Sequence, residues 1–258
     1  MKNASAQRIL ITNDDGIHAP GLELLESIAR ELSDDVWVVA PDSERSGAGH
    51  SVSLTIPIRL RQLGEKRYQV GGTPTDCVLM ALWELMTDAP PTVVQSGINA
   101  GANLAEDVTY SCTCAAAMEG TLMGIRSIAL SQIRPPGGVA DFAPAANHAP
   151  ALIRQLVELE DWPTGSFVNI NFPQCAPDEV RGVRMTTQGQ RPPGAFSIDA
   201  RHDPRNQPYF WVRIKYPEAE HATGTDLAAT AANIISVTPI KMDFTDHAWG
   251  NRLATVLS

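Results

Sequence analysis

The sequence predicts an α/β fold built on a doubly wound, mostly parallel sheet, and three observations predict it. Short apolar runs alternate with longer segments of helical periodicity through the first half of the chain, as strands joined by crossover helices do. The short runs are apolar at consecutive positions, which suits strands buried on both faces. The chain has 258 residues, of which 43% are hydrophobic and 19% charged, enough to bury a core without disulfide staples.

Arg8–Thr12, with Ile9, Leu10 and Ile11 in succession, reads as the first strand. Residues 20–33 read as a helix, with Leu22, Leu25, Ile28, Ala29 and Leu32 at helical spacing and Pro20 at the start. Residues 36–40 form a second strand. A helix follows over 76–86, with Val78, Leu79, Leu82, Trp83, Leu85 and Met86 apolar and Asp76 placed to cap it. A third strand is expected at 92–95, a helix over 115–124 ending at Gly124, and a strand at 127–130. Pro135, Pro136, Gly137 and Gly138 make 132–140 a loop. A helix over 150–160 and a strand over 167–172 come next.

From about residue 188 the pattern changes. Residues 188–207 are rich in Pro, Gly and Arg, and 209–214 is a strand with large residues on both faces. Such a strand requires burial, in this core or against another subunit. A hairpin or arm projecting over about 188–215 is therefore expected. It would extend from a core of about 8–187 and lead to a C-terminal segment of about 216–258. That segment holds a strand at 234–240 and a partly helical tail from Asp243.

Lys plus Arg number 20 against 29 Asp plus Glu, a net charge of −9. This argues against a nucleic-acid partner or an anionic membrane, which need a basic face. No apolar run approaches the roughly 20 residues of a membrane span. The polar N-terminus, through Arg8, lacks the apolar centre of a secretory leader. The four cysteines, Cys77, Cys112, Cys114 and Cys175, are no disulfide framework, and Cys112-Thr113-Cys114 has no zinc-site spacing. A reduced cytoplasmic protein is expected.

Ligands of open α/β sheets bind beyond the carboxyl ends of the strands. Asn13, Asp14, Asp15 and Gly16 follow the first strand, Asp42 to Gly47 the second, and Ser96 to Asn103 the third. Adjacent carboxylates about 4 Å apart repel by about 4 kcal/mol at an effective dielectric of about 20, and a divalent cation removes that repulsion. Aspartates with Ser and Asn oxygens suit Mg²⁺ or Mn²⁺; the competing reading is a loop in which Asp14 caps the helix at Pro20 or turns the chain. Gly97 and Gly101 around Asn99 read either as close backbone approach to a ligand or as an ordinary turn. Ser111-Cys112-Thr113 leads into a helix, whose start can bind phosphate or simply be capped. Cys112 at a helix start is a conceivable nucleophile, yet no His or Asp partner is evident in sequence. The dinucleotide glycine fingerprint is missing, which disfavours an oxidoreductase.

These segments resemble one family closely. Ile-Leu-Ile-Thr-Asn-Asp-Asp-Gly-Ile-His-Ala-Pro-Gly over 9–21 resembles the N-terminal signature of the SurE family of stationary-phase survival nucleotidases. So do the motifs at 40–47, 72–77, 96–101 and 115–120, and later 169–173, 224–226 and 237–239. The resemblance runs from about 8 to about 247. It implies a Rossmann-like three-layer core with a projecting hairpin and an exchanged C-terminal segment, in homodimers or homotetramers. The implied activity is a metal-dependent phosphomonoesterase acting on nucleoside 5′- and 3′-monophosphates, with polyphosphate cleavage in some members. It implies one divalent ion per subunit, Mg²⁺ or Mn²⁺, on Asp14, Asp15, Ser46 and Asn99, with phosphate contacts from Asn103, Ser111 and Thr113. Hydrolysis would use metal-activated water, with Asp14 or Asp15 able to take a proton.

Two departures from the family pattern matter, while Cys114, in place of a usually small apolar residue, should be tolerated. Cys112 stands where the family has Gly, a residue that lets backbone N–H groups approach phosphate and takes conformations Cys dislikes. Glu44 stands where many members have Asn, adding negative charge near the substrate. Two other readings follow: a covalent phosphotransfer enzyme with Asp14 as nucleophile, and a nucleotide-binding or assembly protein whose turnover is disabled at Cys112.

Overall fold

The computed structural model of the protein describes residues 7–216 and 219–257; most of the polar N-terminus and two residues of the expected C-terminal segment, with Ser258, lie outside the described residues. In chain order the elements are β1 (Arg8–Thr12), α1 (Pro20–Leu32), β2 (Asp35–Pro41), β3 (Leu60–Gly64), β4 (Arg67–Val70) and α2 (Pro74–Met80). They continue with β5 (Val93–Ala100), α3 (Cys112–Leu122), β6 (Arg126–Gln132), α4 (Ala143–Val157), β7 (Ser166–Phe172) and β8 (Val183–Met185). The last are β9 (Phe196–His202), β10 (Pro208–Ile214), α5 (Asp226–Ala231), β11 (Ile235–Lys241) and α6 (His247–Leu257). Among the described residues nine strands form one sheet in the order β3-β4-β2-β1-β5-β6-β7-β11-β8, while β9 and β10 pair only with each other. Within the large sheet, β3–β4 and β7–β11 are antiparallel and the other neighbours are parallel.

The layers follow from the sequence pattern. Leu22, Leu25 and Ile28 of α1 and Ile153 of α4 pack on one face of the sheet, against Ile9, Ile11, Val36 and Val38. On the other face Val78 and Ala81, from α2 and its continuation, and Ala116 of α3 meet Leu10, Val39 and Val94. The consecutive residues Ile9, Leu10 and Ile11 thus divide between two cores, which is why β1 shows no apolar–polar alternation. Each such side chain, fully buried, contributes about 1.5–3 kcal/mol.

Several boundaries differ from expectation, each for a local reason. The helix expected over 76–86 begins at Pro74, behind Thr73. The Thr73 hydroxyl accepts from Asp76 N at 3.1 Å and the Asp76 carboxylate accepts from Thr73 N at 2.8 Å, so Asp76 is the third residue of a capping box and Thr73 is the cap. This helix widens into a π-helical turn over Ala81–Leu85, which leaves Trp83 exposed. α3 begins at Cys112 because Ser111 caps it, and α4 begins at Ala143 and carries Pro150 inside it. The arm expected over 188–215 is the β9–β10 hairpin, and its residues are exposed on both faces. The large side chains of β10 therefore do not enter this chain's core. Among the described residues no helix is long and apolar enough to cross a membrane.

Candidate active site

Along the chain, β2 lies on one side of β1 and β5 on the other. Their divergence opens a crevice at the carboxyl ends of β1 and β5, where doubly wound sheets place ligands. A cavity of about 400 Å³ sits there. It is lined by Asp14 and Asp15 from the end of β1, Glu44 and Ser46 from the loop after β2, and Asn99 from the end of β5. Asn103, Ser111 and Cys112 complete that side. Six of the seven residues expected from sequence therefore share one cavity.

Thr113 is the seventh and sits beneath it. Its side chain is fully buried, and its hydroxyl donates to Asp14 Oδ1 at 2.6 Å. The side chain serves Asp14 rather than facing the cavity. Asp14 itself is only 4% exposed. Burial pushes its carboxyl up to about 6, against the Thr113 hydroxyl; neighbouring Asp15, and then Glu44, add to the rise. Burial also raises the Asp15 carboxyl. The Ala100 N–H, donating to its Oδ2 at 3.1 Å, opposes this, Glu44 adds to the rise and Arg134 lowers it. The paired aspartates are thus fixed in place, partly desolvated and mutually repelling.

This arrangement fits a hard divalent ion. Among the described residues no three His, Cys, Asp or Glu side chains converge as a metal-binding group, so two carboxylates have to be completed by neutral oxygens and water. Ser46 and Asn99 supply such oxygens in the same cavity. The Asn99 amide donates its Nδ2 to Gly101 O at 3.2 Å, leaving its carbonyl oxygen as the acceptor end. Mg²⁺, which keeps several waters and takes one or two carboxylates, matches that donor set.

The glycine at the centre of the β5 motif has a structural cause. Gly97 has φ of +137°, and a Cβ there would stand 2.3 Å from Leu130 O on β6. The β5–β6 register shifts between Ser96 and Asn99 at this place. The close backbone approach is therefore to the neighbouring strand, and the irregularity delivers Asn99 to the cavity.

At the start of α3, Ser111 Oγ accepts from Cys114 N at 3.0 Å, an ordinary cap. Cys112 is the first helical residue and is not among the positive-φ positions, so its backbone demands no glycine. Its Sγ donates to Arg45 O at 3.1 Å, and burial, reinforced by Asp14, pushes its thiol pKa up. A thiol held protonated in this way is a poor nucleophile.

The motifs at 169–173 and 224–226 stand out in the sequence, but not the way their residues hold this frame from a distance. Asn103 is gripped on three sides: its Nδ2 donates to Ser131 Oγ at 2.7 Å, its N–H to Asn171 Oδ1 at 2.9 Å, and its carbonyl accepts from Asn169 Nδ2 at 2.7 Å. Two asparagines two residues apart in the buried strand β7 were the available signal, since buried amides need partners. Asp226, on α5, is fully buried and accepts from Ala105 N, Gly189 N and Leu227 N. The cavity is also lined by the root of the arm, including Pro192, Pro193, Phe196 and Tyr216. No local sequence period could place those residues in the same cavity as Asp14.

The chain is similar to known proteins over nearly its whole length. The family model described as Survival protein SurE matches residues 9–194. A 5′-nucleotidase SurE of Methylorubrum extorquens (strain PA1) is 55% identical over 249 residues, covering 96% of this chain and 98% of its own. That of Rhodopseudomonas palustris (strain TIE-1) is 51% identical over 256 residues, covering 97% and 100%. The crystal structure of the Sure protein from Aquifex aeolicus superposes with a TM-score of 0.81 at 34% identity, covering 97% of this chain and 99% of that one.

Proposed function

The chain belongs to the SurE family, and from that premise we propose that it is a 5′-nucleotidase, a hydrolase releasing phosphate from nucleoside 5′-monophosphates. The observation that carries the proposal is the convergence of Asp14 and Asp15 with Ser46, Asn99, Asn103 and the start of α3 in one cavity at the β1/β5 switch point. One divalent ion per subunit, Mg²⁺ or Mn²⁺, would be held by Asp14, Asp15, Ser46 and Asn99. When bound, such an ion lowers the pKa of water and shields phosphate charge.

The chain's own residues do the rest. Thr113 and the Ala100 N–H fix the two carboxylates, so they pay no reorganisation when substrate arrives. Asn103, held by Asn169, Asn171 and Ser131, presents a rigid edge to the phosphoryl oxygens. Ser111 and the first N–H groups of α3 add the positive end of a helix dipole. Nucleoside 3′-monophosphates and short polyphosphate fit the same reading as further substrates. The exposed faces of the arm and of α6 support a homodimer or homotetramer, and four free cysteines accord with a cytoplasmic location.

The test is phosphate release from nucleoside 5′-monophosphates with Mn²⁺, with Mg²⁺ and with a chelator. Release that needs metal is expected, and Asp15→Asn should abolish it while leaving the circular dichroism spectrum of the parent. Undiminished release in chelator would defeat the metal assignment; no release by folded, metal-supplied protein would defeat the nucleotidase assignment.

A further inference from the structure

Of the four residues assigned above to a divalent ion, Ser46 alone is exposed. It stands on a loop whose backbone offers little to fix it. Gly47 and Gly49 hold φ of +78° and +59°, and a Cβ at Gly47 would meet no atom within 4 Å. A ligand carried on such a segment has to be aimed by its neighbours. Two contacts do this. The Ser46 hydroxyl donates to Glu44 Oε1 at 3.1 Å. The carbonyl of the Arg45–Ser46 peptide accepts from Cys112 Sγ at 3.1 Å, while the Arg45 N–H donates to Asp14 O at 2.8 Å. Arg45 is thereby pinned between the end of β1 and the start of α3. Glu44 and Cys112 are also the two departures from the family pattern that bear on the site, so the residues that look disabling in sequence are the ones that touch Ser46 and the peptide before it.

A serine hydroxyl has one proton to give and two lone pairs to offer. Left free to rotate, it would as readily turn its proton toward a cation as away from it. Giving that proton to a carboxylate keeps the lone pairs for the ion and makes the oxygen a better ligand, as hydrogen-bond partners behind metal ligands do. Cys112 acts on the backbone instead. With no side chain at that position, the Arg45 carbonyl would keep only the Ala48 N–H, at 3.3 Å, and the peptide before Ser46 would lose its tie to α3. We propose that Glu44 and Cys112 are positioning residues that aim Ser46 at the divalent ion, Glu44 by holding its hydroxyl proton and Cys112 by tying its peptide to α3. This rests on the metal assignment above, and it turns both departures into devices that tighten ion binding.

Mn²⁺ binding to the metal-free, full-length protein, followed by loss of the free-ion electron paramagnetic resonance signal, tests this without turnover. Glu44→Ala is expected to raise the Mn²⁺ Kd about 10-fold, the lower end of what losing a partner behind a metal ligand costs. Glu44→Gln keeps an acceptor for the hydroxyl but drops the charge, and should recover most of that loss. Cys112→Gly should raise the Kd about 2- to 5-fold, in keeping with a weak S–H···O bond, and Cys112→Ser should match the parent. The deciding measurement is a double-mutant cycle: in a Ser46→Ala background, Glu44→Ala and Cys112→Gly should each change the Kd by less than about twofold. An undiminished Glu44→Ala loss in that background, or a Glu44→Gln as weak as Glu44→Ala, would show that Glu44 acts through its charge and overturn its part. A Cys112→Gly Kd equal to that of the parent would overturn the part of Cys112. Absence of Mn²⁺ binding by the folded parent would instead strike the metal assignment itself, and the positioning role with it.

Discussion

Asp226 joins three segments that are far apart in sequence, and replacing it tests how the site is held. Its Oδ2 accepts from Ala105 N at 2.8 Å, and its Oδ1 accepts from Gly189 N at 2.8 Å and Leu227 N at 2.7 Å. These donors belong to the corner after Asn103, the base of the arm and the first turn of α5. Ala105 holds φ of +52°, a left-handed conformation that costs a non-glycine residue roughly 1–2 kcal/mol. In Asp226→Asn one oxygen can keep the Gly189 and Leu227 bonds, but the new NH₂ faces the Ala105 N–H, donor against donor. A buried unsatisfied donor costs about 1–3 kcal/mol, and bonds to the remaining oxygen lose their charge assistance, so a loss of about 2–4 kcal/mol is expected. Asp226→Ala strands three donors and should cost about 3–5 kcal/mol, with water satisfying part of the vacated space. Equilibrium urea unfolding followed by tryptophan fluorescence measures both. Because Asn103 is two residues from Ala105, phosphate release should also fall in Asp226→Asn well below its unfolding temperature. Unfolding of Asp226→Asn within about 0.5 kcal/mol of the parent would refute the account of Asp226 as the fastening point.

Gly97→Ala places a Cβ 2.3 Å from Leu130 O at a φ of +137°. It should cost more than about 4 kcal/mol, as strained core substitutions do, and the variant should fail to accumulate as soluble protein; normal thermal stability would show that the β5–β6 irregularity relaxes. Cys112→Gly should leave metal-dependent phosphate release within about threefold of the parent, while lowering stability by up to about 1 kcal/mol through poorer helix propensity. A large gain in release would revive the reading of a protein disabled at Cys112. Thiol alkylation of the native protein at pH 8 should modify Cys175 first. Cys77 and Cys114 should stay untouched, because burial pushes Cys77 well above its ordinary value and Cys114 up to about 12, leaving almost no thiolate. Early modification of Cys114, read by peptide mass, would contradict its burial.

The parts legible in sequence were those whose physics is local. β1, β2 and β7 announce themselves as apolar runs, and the strand-end loops collect Asp14, Asp15, Ser46, Asn99 and Asn103 because the doubly wound topology brings all such loops to one rim. β3 and β4 were not foreseen: an edge pair carrying Arg61, Gln62, Arg67 and Gln69 has no apolar period to read. The start of α4 was hidden because Ala143–Val157 contains two prolines among small residues, a composition that resembles a loop. Asp226 stands in the sequence only as the end of the 224–226 motif, and nothing near it reveals that its oxygens serve Ala105 and Gly189. The arm's contribution to the cavity was equally silent, since it arises from a return of the chain and not from any pattern within it.

The position of β11 between β7 and β8 also bears on how the chain is made. β8 is synthesised at 183–185, yet the strand it pairs with is synthesised only at 235–241. At about 5–20 residues per second a ribosome takes several seconds to deliver that strand. During that interval the outer edge of β7 stands open while the parallel strands before it can already close. A nascent or prematurely ended chain that stops short of 235 therefore presents Ser166–Phe172 as a bare template for strand addition by another molecule. The arrival of β11 ends that exposure, which makes the last tenth of the translation product the part that guards the rest against aggregation.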